Sequence, residues 1–198
     1  MKELAPLNVL IARLARLPGV GRRSAERMAF RIAVDEKGLG RELAHALEEV
    51  KEHVVCCSLC GNLTLKTSDP CPICTDSRRN RHLLCVVEDP SGIQQVESAG
   101  AYTGLYHCMM GKLSPMQGQD IPPAKVDALL RRVREEEIQE VLLAFDSDVE
   151  SDATTRFLQD RLTAENVKVT RLAFGIPAGS GIAYSDPVTL ARAIHGRH

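Results

Sequence analysis

Two cysteine pairs, Cys57-Ser58-Leu59-Cys60 and Cys71-Pro72-Ile73-Cys74, stand ten residues apart. This spacing constrains the chain more than any other feature. Each C-x2-C is a short turn that directs two sulfurs at one point, and two such turns complete a tetrahedron of thiolates around Zn²⁺. The intervening Gly61, Asn62, Ser68, Asp69 and Pro70 are turn formers, as a knuckle requires. Four buried or free thiols, or a disulfide pair, are the other readings. Met1-Lys2-Glu3 opens an amphipathic segment and not a secretory stretch, so seven cysteines point to a reducing, cytoplasmic setting and to a metal. Cys57 keeps the two-residue gap to Cys60, which leaves Cys56 as the spare. A four-thiolate site has no open position for water, so the zinc is expected to be structural. A segment this small cannot build an apolar core, so the metal is expected to supply its folding energy. The knuckle stands between regions of different character and reads as a joint.

Before it, Leu4, Leu7, Leu10, Ile11, Leu14 and Leu17 fall at helical spacing. Pro18-Gly19-Val20-Gly21 stops that helix, and a second runs from Ser24 to Ala33 with Ala25, Met28, Ala29 and Ile32 on one face. Helix, tight Gly-x-Gly turn, helix is the layout of a helix-hairpin-helix. Gly19 and Gly21 let the backbone approach a phosphate with no Cβ in the way. The amides that open the second helix are unpaired and partly positive. Arg22, Arg23 and Arg27 lie beside them. The whole chain is nearly neutral at −1, but residues 1–31 carry seven basic groups against two acidic ones, and six of the seven are arginines suited to phosphate. An ordinary two-helix corner with a solvated basic face is the bland alternative. Aromatic residues make up 4% of the chain, too few for a surface that stacks bases, so phosphate contact is the better expectation. Leu43, Leu47, Val50 and Val54 mark a third amphipathic helix over about residues 40–53. No apolar run approaches the length of a membrane span.

After the knuckle come Arg78, Arg79, Arg81 and His82, either a second phosphate contact or a solvated linker. From residue 83 apolar runs alternate with helical patterns. Strands are expected at 83–87, 105–110, 141–145 and 167–174, with helices over 91–99, after Pro122-Pro123, and through Ala153 to Leu162. That alternation makes the fold class α/β, with a parallel sheet covered by helices. Cys85 and Cys108 fall inside strands and read as core. Glu88 ends the first of these strands, and Asp146, Asp148, Glu150 and Asp152 follow the third. All project from the carboxyl edge, where such sheets place ligands. Carboxylates gathered there repel one another unless a cation joins them, and oxygen ligands suit Mg²⁺. A solvated acidic loop that caps the next helix is the alternative.

The Glu88 strand followed by Asp146-x-Asp148 resembles the Toprim domain of topoisomerases, primases and some nucleases. A Leu-Pro-Gly-Val-Gly hairpin, a four-cysteine motif and a Toprim domain, in that order, resemble the RecR family of recombination mediators. Arg22 to Ala29, Leu84 to Glu88, Gly111-Lys112-Leu113-Ser114-Pro115, Gly175-Ile176-Pro177 and Thr189 to Arg197 carry the match. The resemblance implies four segments: a helix-hairpin-helix domain over 1–54, the zinc motif over 55–80, Toprim over 81–174, and a Walker-B-like assembly segment and helix over 175–198. It implies a non-enzymatic, bacterial, nucleoid-associated DNA-repair protein. It would form rings, commonly homotetramers, that encircle DNA, and would act with RecO and RecF to load RecA at gapped, SSB-coated DNA. Arg23 and Arg27 would face the DNA. The sequence departs from the family in three places. The cysteine pairs are slightly further apart. Asp146 and Asp148 stand where Asn and Thr are usual, and Ser151-Asp152 where Gly-Glu is usual. The stretch Gly179 to Tyr184 lacks the family's Gly-Gly pair and glutamate. The aspartates give the chain the look of a catalytic Toprim, so a Mg²⁺-dependent nuclease using Glu88, Asp146 and Asp148 is the competing expectation.

Overall fold

In the computed structural model, residues 4–114, 118, 120–173, 175–176, 179 and 181–195 are described. The chain divides at Val54/Val55 into two compact units.

The first unit is three helices. Helix α1, Ala5–Leu14, starts with a proline in its first turn, where the missing N–H costs nothing. Leu7, Leu10, Ile11 and Leu14 turn inward and are half-buried. The helix stops three residues short of Leu17, because the chain must reverse before Gly19, whose φ of +75° only glycine adopts freely. Helix α2, Arg22–Ala33, begins two residues before the expected Ser24, since Gly21 takes an extended N-cap conformation. Ala25 and Ala29, one turn apart, are fully buried where α1 and α2 pack. Helix α3, Leu39–His53, is led by Gly38 at φ +96° and by an Asp35 carboxylate that accepts from the Leu39 amide at 3.0 Å. None of its residues is buried.

The second unit is built on a four-stranded parallel sheet. Strands β1 (Val54–Cys56) and β2 (Leu63–Leu65) form a separate two-stranded sheet, and α4 (Pro72–Thr75) is one turn. The main sheet holds β3 (Asn80–Val87), β4 (Gly104–Cys108), β5 (Glu140–Ala144) and β6 (Lys168–Arg171) in the order β4-β3-β5-β6. All three pairings are parallel, with Val86 opposite His107 on one side and Leu143 on the other. Helices α5 (Pro90–Ser98), α6 (Pro123–Glu135) and α7 (Val149–Thr163) connect the strands, and α8 (Pro187–His195) follows β6. The sixth strand ends at Arg171, short of the expected 174, and Phe174 lies outside the described residues.

Alternation along the strands sorts the two faces. Leu84, Val86, Leu105, Met109, Val141 and Leu143 point to one side and pack with Leu129 and Val133 of α6 and Leu158 and Leu162 of α7. Cys85, Val87, Tyr106 and Cys108 point to the other side and pack with Ile93 of α5 and with all four knuckle cysteines. Cys85 and Cys108 are therefore core. The chain leaves β3 for β4 on one side and returns to β5 on the other, so the crevice at the carboxyl ends of β3 and β5 is the switch point of the sheet. Helix α8 is tied down by Arg192, whose guanidinium reaches Asp152 at 3.1 Å and the Ser147 carbonyl at 2.9 Å. Part of the expected assembly segment, including Pro177, Ala178, Ser180 and residues 196–198, lies outside the described residues. Among the described residues no helix is long and apolar enough to cross a membrane.

Candidate metal centre and nucleic-acid interface

The knuckle brings Cys57, Cys60, Cys71 and Cys74 together. All four are buried, and their sulfurs lie within 4.8 Å of one another. Cys57 Sγ is 4.0 Å from Cys74 Sγ, and Cys60 Sγ is 3.5 Å from Cys71 Sγ. Four sulfurs at the Zn–S distance of about 2.3 Å in a tetrahedron stand about 3.8 Å apart, so the cluster has the dimensions of a thiolate metal site. Backbone amides already point at two of the sulfurs: Cys71 N–H donates to Cys57 Sγ at 3.2 Å and Asn62 N–H to Cys60 Sγ at 3.4 Å. The turns are locked by Cys57 N–H to the Asn62 carbonyl and Ser58 N–H to Asp69. Cys56 is exposed and outside the group. Hydrogen bonds from Cys74 hold the Cys60 thiol down at about 5, while burial pushes Cys71 up to about 11. Four thiolates this close together repel one another unless a cation sits among them.

The knuckle is anchored to the sheet. Cys108 N–H donates to the Cys60 carbonyl at 2.8 Å. Arg132 on α6 is buried, and its guanidinium reaches the Leu59 carbonyl at 3.1 Å, the Tyr106 carbonyl at 2.5 Å and Glu136 at 2.9 Å. The basic run after the knuckle is largely absorbed by the fold. Arg79 donates to Glu97 and to the Gly104 carbonyl, and holds the Glu97 carboxyl below its ordinary range. Arg81 faces Glu136, and His82 Nδ1 meets the Glu137 carbonyl. Arg78 is the most exposed of the three arginines and pairs in two-pronged fashion with Asp76.

In the first unit the Gly-Val-Gly turn places Gly21 at the N-cap of α2. A Cβ added there would meet no heavy atom within 4 Å. The fold itself does not require glycine at that position; open backbone remains, with no side-chain cap on the first-turn amides. Arg22, Arg23 and Arg27 are all exposed on this end. Arg22 reaches Glu26 at 3.3 Å, whereas Arg23 and Arg27 have no ion-pair partner among the described residues.

The acidic residues are arranged differently from the expectation of one cluster. Glu88 and Asp146 follow adjacent strands and line one small pocket at the switch point, with Ser91 and Phe145. Glu88 and Asp148 are joined by Lys112, whose Nζ lies 3.4 Å from Glu88 and 2.8 Å from Asp148. Asp148 also caps α7 by accepting from the Ser151 amide at 2.7 Å, and with the Lys112 ammonium this holds its carboxyl at about 2. Glu150 accepts from the Ser114 hydroxyl. The oxygens of Glu88, Asp146 and Asp148 do not converge as the four sulfurs do. As placed, they do not fit a shared Mg²⁺. Lys112 falls in the stretch Gly111 to Pro115 that carries the resemblance, but the sequence gives neither it nor Arg132 a role. A lone lysine after a strand and an arginine in a helix give no local signal.

Three family models match the chain: RecR, helix-hairpin-helix over residues 7–51, Toprim domain over 82–173, and RecR, C-terminal over 175–198. Among curated proteins, Recombination protein RecR of Desulforudis audaxviator is 44% identical over 188 residues, 95% of this chain and 94% of that protein. The Moorella thermoacetica protein of the same name is 42% identical over 193 residues, 98% and 96% of the two chains. That of Bifidobacterium longum subsp. infantis is 42% identical over 188 residues, 95% and 93%. With identity at this level along nearly the whole length, and a four-cysteine cluster between the helical hairpin and the parallel sheet, the chain belongs to the RecR family of recombination proteins.

Proposed function

We propose that this protein is a non-enzymatic DNA-binding clamp and scaffold in recombinational repair. It acts with RecO and RecF to load RecA at gapped, SSB-coated DNA in the bacterial cytoplasm, at the nucleoid. The observation that carries the DNA-binding part is the end of α2: open glycine backbone, uncapped amides, and the exposed Arg23 and Arg27, which have no ion-pair partner among the described residues. Guanidinium groups of this kind neutralise phosphates without reading bases, so binding is sequence-tolerant and salt-sensitive. Zn²⁺, when bound, would be held by Cys57, Cys60, Cys71 and Cys74 and would supply cohesion, with no open position for chemistry. Assembly into a homotetrameric ring is supported by the apolar surface of α3, where Leu43, Leu47 and Val50 are exposed.

Replacing Arg23→Glu and Arg27→Glu together is expected to abolish the gel shift of gapped DNA, with an unchanged circular dichroism spectrum. The milder Arg23→Ala/Arg27→Ala pair is expected to flatten the slope of log affinity against log salt by about 1.8, at about 0.9 for each phosphate that is no longer neutralised. Unchanged affinity in both variants rejects this role for the hairpin.

A Mg²⁺-dependent nuclease is the second reading, favoured by the pocket that Glu88 and Asp146 share. The Lys112 bridge between Glu88 and Asp148 weighs against it. Incubation of pure protein with gapped DNA and Mg²⁺ or Mn²⁺ separates the two. Cleavage that disappears in Asp146→Asn would overturn the scaffold reading.

A further inference from the structure

Parallel topology places acidic residues that follow β3 and β5 along one edge, where carboxylates repel one another and a nearby cation is favourable. The chain supplies one from its own sequence. Lys112 Nζ lies between Glu88 Oε2, at 3.4 Å, and Asp148 Oδ2, at 2.8 Å. Its side chain is only 20% exposed. The loop that carries it is fixed on both sides. Met109 N–H donates to the Val87 carbonyl and Gly111 N–H to the Glu88 carbonyl, which steers the chain out of β4 along the end of β3. Beyond the lysine, Leu113 N–H donates to Thr154 Oγ1 at 2.8 Å and Ser114 Oγ to Glu150, so residues 112–114 run along the first turns of α7. The ammonium is thus placed by backbone on one side and by a helix on the other. It is not a surface lysine that happens to fold over.

We propose that Lys112 is a built-in counter-cation: its ammonium stands between Glu88 and Asp148, and with it in place these residues do not fit a divalent metal. The Toprim edge of this chain is therefore closed to a divalent ion by its own lysine. This inference concerns the second unit alone and stands whether or not the hairpin binds DNA. An ammonium neutralises one charge and offers three N–H donors, but it cannot polarise a bound water as Mg²⁺ does. One of the two carboxylate charges is offset, without the water activation that metal-assisted hydrolysis needs. Asp148 is where the bridge closes on α7.

The test is Mn²⁺ binding by electron paramagnetic resonance, with melting temperatures recorded without and with millimolar Mg²⁺ and no chelator, so that the cysteine cluster is undisturbed. Lys112→Met removes the charge at similar bulk. It is expected to melt lower than wild type without Mg²⁺, to recover with it, and to bind Mn²⁺ at Glu88 about tenfold more tightly or better. Wild type and Lys112→Arg are expected to show no Mn²⁺ signal at Glu88 and no melting shift with Mg²⁺. Glu49, Glu52 and His53 on α3 form an exposed group that could also take Mn²⁺. The signal is therefore assigned by its loss in Lys112→Met/Glu88→Gln. If Lys112→Met does not accumulate as folded protein, Lys112→Gln, which retains a hydrogen-bond donor, is read in the same assay. Wild-type protein that binds Mn²⁺ at Glu88 as tightly as these variants sinks the proposal. So does a folded variant with no gain, because the lysine is then only a structural pin.

Discussion

His107 lies on β4 with its Nδ1 buried and without a hydrogen-bond partner among the described residues. Burial, reinforced by the neighbouring Arg132 guanidinium, pushes the imidazole down from its ordinary 6.5 to about 4. The folded state therefore refuses a proton that the unfolded chain accepts. Stability from this residue is complete above 6.5 and is lost as pH falls from there toward 4. The whole excursion is worth about 3 kcal/mol at 1.36 kcal/mol per unit. Carboxylates lose stability on acidification as well, but mostly below this window. Urea denaturation at pH 7 and pH 4.5 is expected to show a smaller acid loss in His107→Leu than in wild type. Equal losses would mean that the imidazole is protonated in the fold. Residues with this kind of role are hard to see in a sequence. The cysteine spacing was legible because both members of each pair lie within one turn. Lys112 and Asp148 are 36 residues apart, and only the order of strands in the sheet makes them neighbours. The same holds for Arg132, which grips carbonyls of Leu59 and Tyr106 from a distant helix.

Among the elements, those with a long enough pattern were readable. The four sheet strands and the helices α3, α5, α6 and α7 follow from apolar runs and 3.6-residue periods. Strands β1 and β2 have three residues each and α4 has four, too few to carry a period. They exist because the knuckle needs them. The sequence suggested a joint held by metal alone, whereas the knuckle is also pressed against β4. Gly61 has a φ of +76°, and a Cβ there would stand 2.9 Å from Cys108 Cβ. The four cysteines complete the apolar layer over Cys85, Val87 and Tyr106. Removal of a metal from these four cysteines should therefore disturb more than a loop, since it would leave like charges or unpaired thiols inside that layer. Exhaustive chelation, or Cys60→Ser, is expected to remove bound zinc as measured by elemental analysis. It should also lower the melting temperature on the order of 10 °C, and expose surface that binds a hydrophobic dye. Full retention of stability without zinc would assign the cohesion to packing.

At the scale of the whole molecule, the first unit carries an apolar face that its own described helices do not cover. Ala25 and Ala29 are its only buried residues among those described, yet Leu43, Leu47 and Val50 lie one turn apart along α3 and are 43%, 66% and 54% exposed. Met28, Phe30 and Val34 are also open. The period of α3 announced an apolar face and, by itself, a core beneath it. Periodicity tells which face needs cover and not what covers it, so the expectation stopped at the helix. Exposed apolar area of this extent on a small helical unit is what an assembly surface looks like before assembly. A clamp also requires more than one copy, because three arginines at the end of α2 make a patch and not a ring. The two needs point to the same event: burial of the α3 face would bring hairpins of several chains around one duplex. Leu47→Glu/Val50→Glu puts charge on that face without touching Arg23 or Arg27. Light scattering after gel filtration is expected to give wild type several times the mass of one chain and the variant a smaller species. In a gel shift the variant should retain weak, salt-sensitive DNA binding, since its arginines are intact, but lose the tight binding that multiple hairpins provide. A variant that keeps the wild-type mass would place the assembly contacts on another surface.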